Sequence, residues 1–164
     1  MSGQDRYLRV RASDQTLHWI EAGRSVRISA CSTALRGLGE QQGSQQTPRG
    51  WHQVRACIGA GCAVGSVFIG RRPTGEVWSP ELAVQYPERD WILTRILWLS
   101  GLQPGFNRWR QVDSMRRYIY IHATPPSEPV GVPRSHGCIR LHDEDMIDLF
   151  EWVRPGCRVD IVEA

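Results

Sequence analysis

A cysteine and three histidines lie close together in the last third of the chain, in a pattern that suits nucleophilic catalysis. Cys138 follows a Ser-His-Gly tripeptide, and His122 ends an apolar run sixteen positions earlier. A thiol at neutral pH is mostly protonated, so a nucleophilic cysteine needs an imidazole or a positive dipole beside it. His122 could supply that imidazole from the end of a strand, across the intervening loop.

The residues around Cys138 fit the other needs of acyl transfer. Gly137 lets the backbone approach closely, and the amides of Gly137 and Cys138 can donate to a developing oxyanion. Such a donor typically stabilises a transition state by about 3 kcal/mol. Arg140 carries a guanidinium fork that matches a substrate carboxylate. The segment therefore holds a candidate nucleophile, oxyanion donors and an anion-binding group.

Each of these residue types also has a structural interpretation. A lone cysteine is more often a small buried hydrophobe than a nucleophile, and a histidine after an apolar strand can be a hydrogen-bonded core residue. Arg140 could instead pair with Asp143 or Glu144. A metal ion could instead be bound by His136, Cys138 and His142. Spacing alone leaves these alternatives open.

The same segment resembles a known family signature. The chain reads His122-Ala123-Thr124, then a loop with four prolines, then Ser-His-Gly-Cys-Ile-Arg-Leu over 135–141. This is similar to the signature of the L,D-transpeptidase catalytic domain, or YkuD domain, in which His-Gly-Thr precedes Ser-x-Gly-Cys-Ile-Arg. The Thr-Pro-Arg-Gly turn at 47–50 and the segments 112–124 and 156–164 also resemble the family.

The resemblance implies a role for each matching residue. Cys138 would be the nucleophile, and His122 would be the acid–base, oriented by the backbone carbonyl of the next residue. The amides of Gly137 and Cys138 would form the oxyanion hole. Substrate contacts would come from Ser135, His136, Arg140 and Ala123. Ala123 stands where the family has glycine, and a positive φ at that position would cost alanine about 1 kcal/mol.

The implied reaction is acyl transfer through a thioester, without a metal or an organic cofactor. Cys138 would attack the carbonyl of the third residue of a peptidoglycan stem peptide, and the terminal D-Ala would leave. Capture of the acyl group by water makes an L,D-carboxypeptidase, and capture by an amine of another stem makes a cross-linking L,D-transpeptidase. A non-catalytic muropeptide-binding protein is the alternative from another class.

Composition and charge limit the classes of protein to which this chain can belong. The 164 residues are 41% apolar, which predicts a single domain over 1–164 with a sizeable core. A net charge of +3, with no basic run longer than two, argues against nucleic-acid binding, and five cysteines leave at least one thiol free. No run approaches the roughly 18 apolar residues of a membrane span.

The beginning of the chain leads to an expectation for the cellular location of the protein and for the molecule that accepts the acyl group. The first fifteen residues are charged and contain no apolar stretch of a secretory signal. We therefore expect a cytoplasmic protein that acts on soluble muropeptides during murein recycling, by hydrolysis.

The elements that must position these residues are mostly strands, which predicts an α+β fold that is mostly β. The resemblance implies a β-sandwich with a helical cap. Expected strands cover 7–12, 16–20, 25–31, 50–58, 64–70, 75–79, 118–122 and 158–162. Helices are expected at 90–100, with Asp90 as N-cap, and at 143–153. The segments 35–49 and 123–134 are expected to be loops, the first of them mobile and on the surface.

Overall fold

The computed structural model describes residues 5–164, most of which form strands and the turns between them. Its ten strands are Arg6–Arg11 (β1), Thr16–Glu21 (β2), Arg24–Ala30 (β3), Gly50–Ile58 (β4), Ser66–Ile69 (β5), Arg72–Val77 (β6), Ile92–Gly101 (β7), Tyr120–Ala123 (β8), Ile139–Leu141 (β9) and Arg158–Val162 (β10). The helices are Pro80–Gln85 (α1), Asp143–Trp152 (α2) and a short 3-10 turn at Arg110–Val112. The expected fold class, mostly β with few helices, is confirmed.

The strands of the described chain join in one mixed sheet that closes around the core. Its order is β3-β2-β1-β10-β4-β7-β5-β6, while β8 pairs with β7 and β9 pairs with β8. Just beyond β3, the backbone of Ser32 exchanges two 2.9 Å hydrogen bonds with Arg140 of β9. Buried side chains of β1, β2 and β10 share one apolar cluster with those of β7, β8 and β9. Two parts of one curled sheet therefore face each other, as in the sandwich that the resemblance implies.

The helix expected at 90–100 is wrong, because this segment is strand β7. β7 lies inside the sheet, with β4 and β5 along one edge and β8 along the other. A strand buried on both faces reads as an almost continuous apolar run, which cannot be told from a buried helix by period. The β-branched Ile92, Thr94 and Ile96 favour the strand. Asp90 consequently precedes a strand and caps no helix.

Helix α2 lies where the sequence predicts it and closes one side of the core. Met146 and Leu149 are fully buried in the central cluster, with Val153 just after the helix end. Three carboxylates in its first turn face the positive end of the helix dipole. The helix therefore covers the apolar face of β7 and β8 and leaves their other face available to a site.

The expectation of a mobile surface loop at 35–49 is wrong for its last residues. Thr47 and Pro48 are buried. The Thr47 hydroxyl donates to the carbonyl of Gly137 at 2.9 Å and accepts from the Ala34 amide at 2.9 Å. Arg117 donates to the Gln46 carbonyl at 2.6 Å. The end of this loop therefore supports the backbone that carries Cys138.

No helix of residues 5–164 has the length and apolarity needed to cross a bilayer. Residues 1–4 lie outside the described part of the chain. They belong to the stretch that is expected to lack a secretory signal and to the domain expected over 1–164.

Replacing Thr47 with valine keeps its shape and removes both buried hydrogen bonds. Because the Gly137 carbonyl and the Ala34 amide lose their partner, we expect Thr47→Val to lower the free energy of unfolding by about 2 kcal/mol. Urea denaturation measures this value. The matched control is Thr74→Val at an exposed position, with an expected change within about 0.5 kcal/mol. Equal effects of the two changes would contradict the structural role of Thr47.

Candidate active site

Side chains of the parallel strands β8 and β9 alternate between the two faces of the sheet, and this alternation positions the site residues. In their register, His122 lies beside Arg140, and Ile121 lies beside Ile139. Ile121 and Ala123 are fully buried in the core that α2 covers. Since successive side chains of a strand point to opposite faces, Tyr120 and His122 share the other face.

The sulfur of Cys138 lies against β8 on that same face. Its Sγ accepts from the backbone N–H of Tyr120 at 3.4 Å and donates to the carbonyl of Tyr118 at 3.4 Å. The Cys138 side chain packs in the small apolar cluster that contains Tyr120. His122 is two residues further along the strand. The structure therefore brings the predicted nucleophile and the predicted base onto one face of neighbouring strands.

The imidazole of His122 is held by a backbone carbonyl. Nδ1 lies 2.8 Å from the carbonyl oxygen of Ala123, which is the interaction that the resemblance implies. A carbonyl can only accept, so Nδ1 carries the proton and Nε2 is left as the basic nitrogen. Ala123 lies within β8 and is not among the residues with positive φ. The alanine that replaces the family glycine therefore costs no backbone strain.

Burial sets the resting charge of both groups. It raises the pKa of the Cys138 thiol to about 12, an effect that the Tyr120 N–H partly offsets and the Asp90 carboxylate adds to. Burial also lowers the pKa of His122. The resting pair is therefore a neutral thiol and a neutral imidazole. The thiol must therefore lose its proton after substrate has bound, when the hydrogen bonds of such sites commonly tighten.

The side-chain hydroxyl of Ser135 stabilises the loop before Cys138. The buried Ser135 side chain donates to the carbonyl of Cys138 at 2.5 Å and accepts from the amide of Gly137 at 3.2 Å. Gly137 has φ 139°, and a Cβ there would lie 3.3 Å from the carbonyl oxygen of Gln46. Ser135 therefore shapes the loop, and the Gly137 amide already has an acceptor. The Cys138 amide stays the predicted oxyanion donor.

A cleft of about 220 Å³ lies beyond His122 along the chain, where Thr124 borders it, and its lining includes neither His122 nor Cys138. Its walls come from 87–91 and from Thr124, Pro125, Glu128, Arg134, His136 and Arg140. The carboxylate of Asp90, one of the lining residues, accepts from Arg140 at 2.9 Å and lies 3.4 Å from His136 Nδ1. The exposed His136 and the largely buried Arg140 thus border the cleft together with Asp90, and their predicted contacts with substrate stay a prediction.

Two alternative interpretations of these residues are wrong. Arg140 pairs with Asp90 and, at 4.0 Å, with Glu128, whereas Asp143 accepts from the Thr94 hydroxyl. The ring of His142 bonds to the Glu128 carbonyl at 2.9 Å. No group of three or more His, Cys, Asp or Glu in residues 5–164 is arranged to hold a metal ion. The ligand set of His136, Cys138 and His142 is therefore not brought together.

Sequence reasoning missed three residues of the site. Tyr120 could have been found, because a residue two positions before His122 in a strand must share its face. Asp90 was hidden by the helix assigned to its segment. Tyr118 lies just before β8 with φ 56° and an exposed ring. No pattern in the sequence predicts this turn of the backbone.

Comparisons with known proteins show which family the chain resembles. A family model described as "YkuD: L,D-transpeptidase catalytic domain" matches residues 5–161. The chain is 43% identical over 47 residues to the probable L,D-transpeptidase YbiS of Escherichia coli, covering 29% of this chain and 15% of that protein. It is 37% identical over 59 residues to the putative L,D-transpeptidase YqjB of Bacillus subtilis, covering 34% of each.

A solved structure shows the same fold. The L,D-transpeptidase from Xylanimonas cellulosilytica superposes with a TM-score of 0.55 at 22% identity, over 96% of this chain and 60% of that one. The chain spans less than two thirds of each of these relatives. Because the family model matches nearly its whole length, the chain belongs to the L,D-transpeptidase catalytic domain family.

The raised pKa of Cys138 predicts slow alkylation at neutral pH. Because the thiol stays protonated below its pKa, the rate of iodoacetamide labelling should rise steadily from pH 7 to pH 10. Asp90→Asn removes a charge that disfavours the thiolate, so it should speed labelling at pH 8. Mass spectrometry of the Cys138 peptide gives the rate, and Glu88→Gln in the same cleft is the control. A plateau below pH 8 would indicate a preformed thiolate instead.

Proposed function

We propose that this chain is a cysteine-dependent L,D-carboxypeptidase that removes the terminal D-Ala from tetrapeptide stems of peptidoglycan. The observation that carries this proposal is the shared face of Cys138 and His122, with the imidazole fixed through Nδ1. A thiol and an oriented base on the same face suit nucleophilic acyl transfer once substrate brings them into contact. Membership of the family supports peptide stems as the substrate class.

In the proposed first half-reaction, the sulfur of Cys138 attacks the carbonyl carbon of the third stem residue. His122 Nε2 takes the thiol proton as the C–S bond forms, and the Cys138 amide donates to the oxyanion. Collapse of the intermediate breaks the C–N bond to D-Ala, whose amine receives the proton from His122. A thioester between the tripeptide and Cys138 is left.

In the second half-reaction, water attacks the thioester carbonyl. His122 accepts a proton from this water, and the departing Cys138 sulfur recovers a proton from His122. The tripeptide leaves with a new carboxylate. The same imidazole serves the leaving amine and the attacking water, so both must be on the His122 side of the sulfur.

The cleft on that side supports hydrolysis. At about 220 Å³ it is smaller than the roughly 300–1,000 Å³ of pockets that enclose drug-sized ligands. It suits a D-Ala leaving group and then water. Arg89 and Arg140 of the cleft are paired with carboxylates, whereas Arg134 has no carboxylate partner within residues 5–164 and can donate to the D-Ala carboxylate.

The second candidate is an L,D-transpeptidase that joins two stems through a 3–3 cross-link. It is favoured by the names of the relatives, which describe probable or putative L,D-transpeptidases. In this case the amine of an acceptor stem would replace water at the thioester.

We also propose a cytoplasmic location and a role in murein recycling. Recycled muropeptides are soluble monomeric stems, which are the substrate that the proposed hydrolysis needs. Cell fractionation with antibody detection tests the location. Recovery of the protein from the cell envelope would contradict it.

Incubation with a monomeric tetrapeptide muropeptide distinguishes the two reactions. We expect tripeptide and free D-Ala in equal amounts, because water reaches the thioester more readily than a second stem does. Chromatography with mass spectrometry quantifies the products. The Cys138→Ala protein is the control. Cross-linked 3–3 dimers as the main product would support the transpeptidase.

Single substitutions test the two roles on that same substrate. Cys138→Ala should abolish turnover, and His122→Ala should lower kcat by at least about 100-fold, because general acid–base help is lost. His136→Gln should have a milder effect, since His136 is exposed and bonds only to Asp90. Initial rates of D-Ala release measure all three, and thermal melting confirms folding. If His136→Gln were as inactive as His122→Ala, the base would be misassigned.

A further inference from the structure

The turn at 114–118 leads into β8 and carries a half-buried arginine, Arg117. The last residue of the turn, Tyr118, accepts from the thiol of Cys138 at 3.4 Å through its backbone carbonyl. Arg117 is the residue before Tyr118, and its backbone N–H donates to the carbonyl of Asp113 at 3.0 Å. The backbone of this arginine is therefore fixed one residue away from a group that contacts the sulfur.

The guanidinium of Arg117 holds the loop at 39–46 through neutral acceptors. Three backbone carbonyls accept at 3.2, 3.1 and 2.6 Å and a serine hydroxyl accepts at 3.3 Å; they belong to Gly39, Glu40, Gln46 and Ser44. Within residues 5–164 no carboxylate bonds to this guanidinium, since the Glu40 carboxylate pairs with Arg49 at 2.8 Å. Neutral acceptors fix the position of a cation without cancelling its charge.

The loop that Arg117 holds lies against the backbone that carries the nucleophile. The Gln46 carbonyl, which accepts from Arg117 at 2.6 Å, lies 3.3 Å from the point where a Cβ of Gly137 would be. The next residue, Thr47, donates through its hydroxyl to the Gly137 carbonyl at 2.9 Å. The guanidinium therefore supports, through the Gln46 peptide, the residue that precedes Cys138.

The charge of Arg117 also acts on the sulfur. Burial raises the pKa of the Cys138 thiol, and the positive charges of Arg140 and Arg117 act against that rise. Arg140 is paired with Asp90, whose carboxylate has the opposite effect on the thiol pKa. Burial lowers the pKa of the Arg117 guanidinium, but an arginine stays protonated in proteins. Arg117 therefore presents to the sulfur a positive charge that no bound carboxylate within residues 5–164 neutralises.

Other titratable groups surround the sulfur on the elements packed against it. They come from β8, β9, the segment before β7, the turn at 114–118 and the loop after β4, and they are His122, Tyr120, Arg140, Asp90, Tyr118 and Cys62. Because all of them can influence ionisation of the thiol, the effect of one cation is measured by comparing variants that leave these six groups unchanged.

We propose that Arg117 is a positioning residue of the active site, which holds the loop at 39–46 against the Cys138 backbone and presents a permanent cation to the sulfur as the thiol loses its proton. This inference rests on the proposed function and concerns the step in which His122 takes the thiol proton. A cation near a forming thiolate stabilises it, and a cation that is fixed in advance need not reorganise during the step.

The pH dependence of Cys138 alkylation tests the effect of the charge. Arg117→Gln should lower the thiolate population at pH 8 about tenfold, because the loss of a nearby opposite charge disfavours the thiolate. The rate of iodoacetamide labelling should then fall about threefold, since a more basic sulfur reacts about threefold faster. Arg117→Lys keeps the charge and should stay within about 1.5-fold of the wild-type rate from pH 7 to pH 9.

The matched control is Arg116→Gln. Arg116 is the previous residue, is exposed, and its guanidinium has no hydrogen-bond or ion-pair partner in the part of the chain that the structure describes, so labelling should not change. Equal slowing in Arg116→Gln and Arg117→Gln would show a general effect of net charge and overturn the proposal. Equal slowing in Arg117→Lys and Arg117→Gln would also overturn it, because the charge would then have no effect.

Thermal melting separates a charge effect from a purely structural one. A lower melting temperature for Arg117→Gln, with the wild-type pH dependence of labelling, would show that Arg117 only stabilises the fold and would overturn the proposal. If Arg117→Gln does not fold, Arg117→Met replaces it, because its unbranched apolar side chain suits a half-buried position. Arg117→Met should show the same threefold slowing, and the wild-type rate in this variant would contradict the proposal.

Turnover separates this inference from the proposed function. For D-Ala release from the tetrapeptide muropeptide, Arg117→Gln should lower kcat/KM about tenfold, because this constant includes the step in which the thiol loses its proton. An unchanged kcat/KM would overturn the role of Arg117 while the proposed function stands. If the wild-type protein converts no peptide but labelling is slower in Arg117→Gln, the proposed function fails and the effect of Arg117 on the sulfur stands.

Discussion

The parallel pairing of β8 and β9 is the constraint on which the rest of the structure depends. One ladder sets His122 beside Arg140 and brings Cys138 alongside Tyr120. The same strands bury their other face completely, through Ile121, Ala123, Ile139 and Leu141. A slip of one residue would send every side chain of the strand to the opposite face, which would bury the histidine in the apolar core. Burial on one side therefore determines the geometry on the other.

Burial also decides how charge is distributed around the sulfur. The thiol and the imidazole rest neutral because a charged form would lose its hydration there. Two arginines near the sulfur, Arg140 and Arg117, favour the thiolate and partly offset the effect of burial on the thiol pKa. Arg140 is paired with Asp90 on the cleft side, while Arg117 donates to the backbone carbonyls of Gly39 and Gln46. The protein itself therefore holds both cations in place.

Sequence patterns predicted the elements whose two faces differ in polarity. The hairpin of β2 and β3 and the amphipathic helix α2 are of this kind, and the motif placed Cys138 and His122 in one site. Strand β7 was misassigned because both its faces are buried, which removes the alternation that marks a strand. The same misassignment hid Asp90, which was read as the N-cap of that helix. Asp90 also joins the site through Arg140, 50 residues away, and no local pattern encodes such a contact.

The proposed mechanism requires the sulfur at position 138 to carry the acyl group during turnover. The direct test is to mix the protein with a tetrapeptide stem, quench with acid within milliseconds to seconds and determine the mass of the intact protein. We expect a transient gain in mass equal to the tripeptide acyl group, mapped to Cys138 by digestion. Release of D-Ala at the full rate with no adduct at any time, or an adduct on Cys31, Cys57, Cys62 or Cys157 instead, would contradict it.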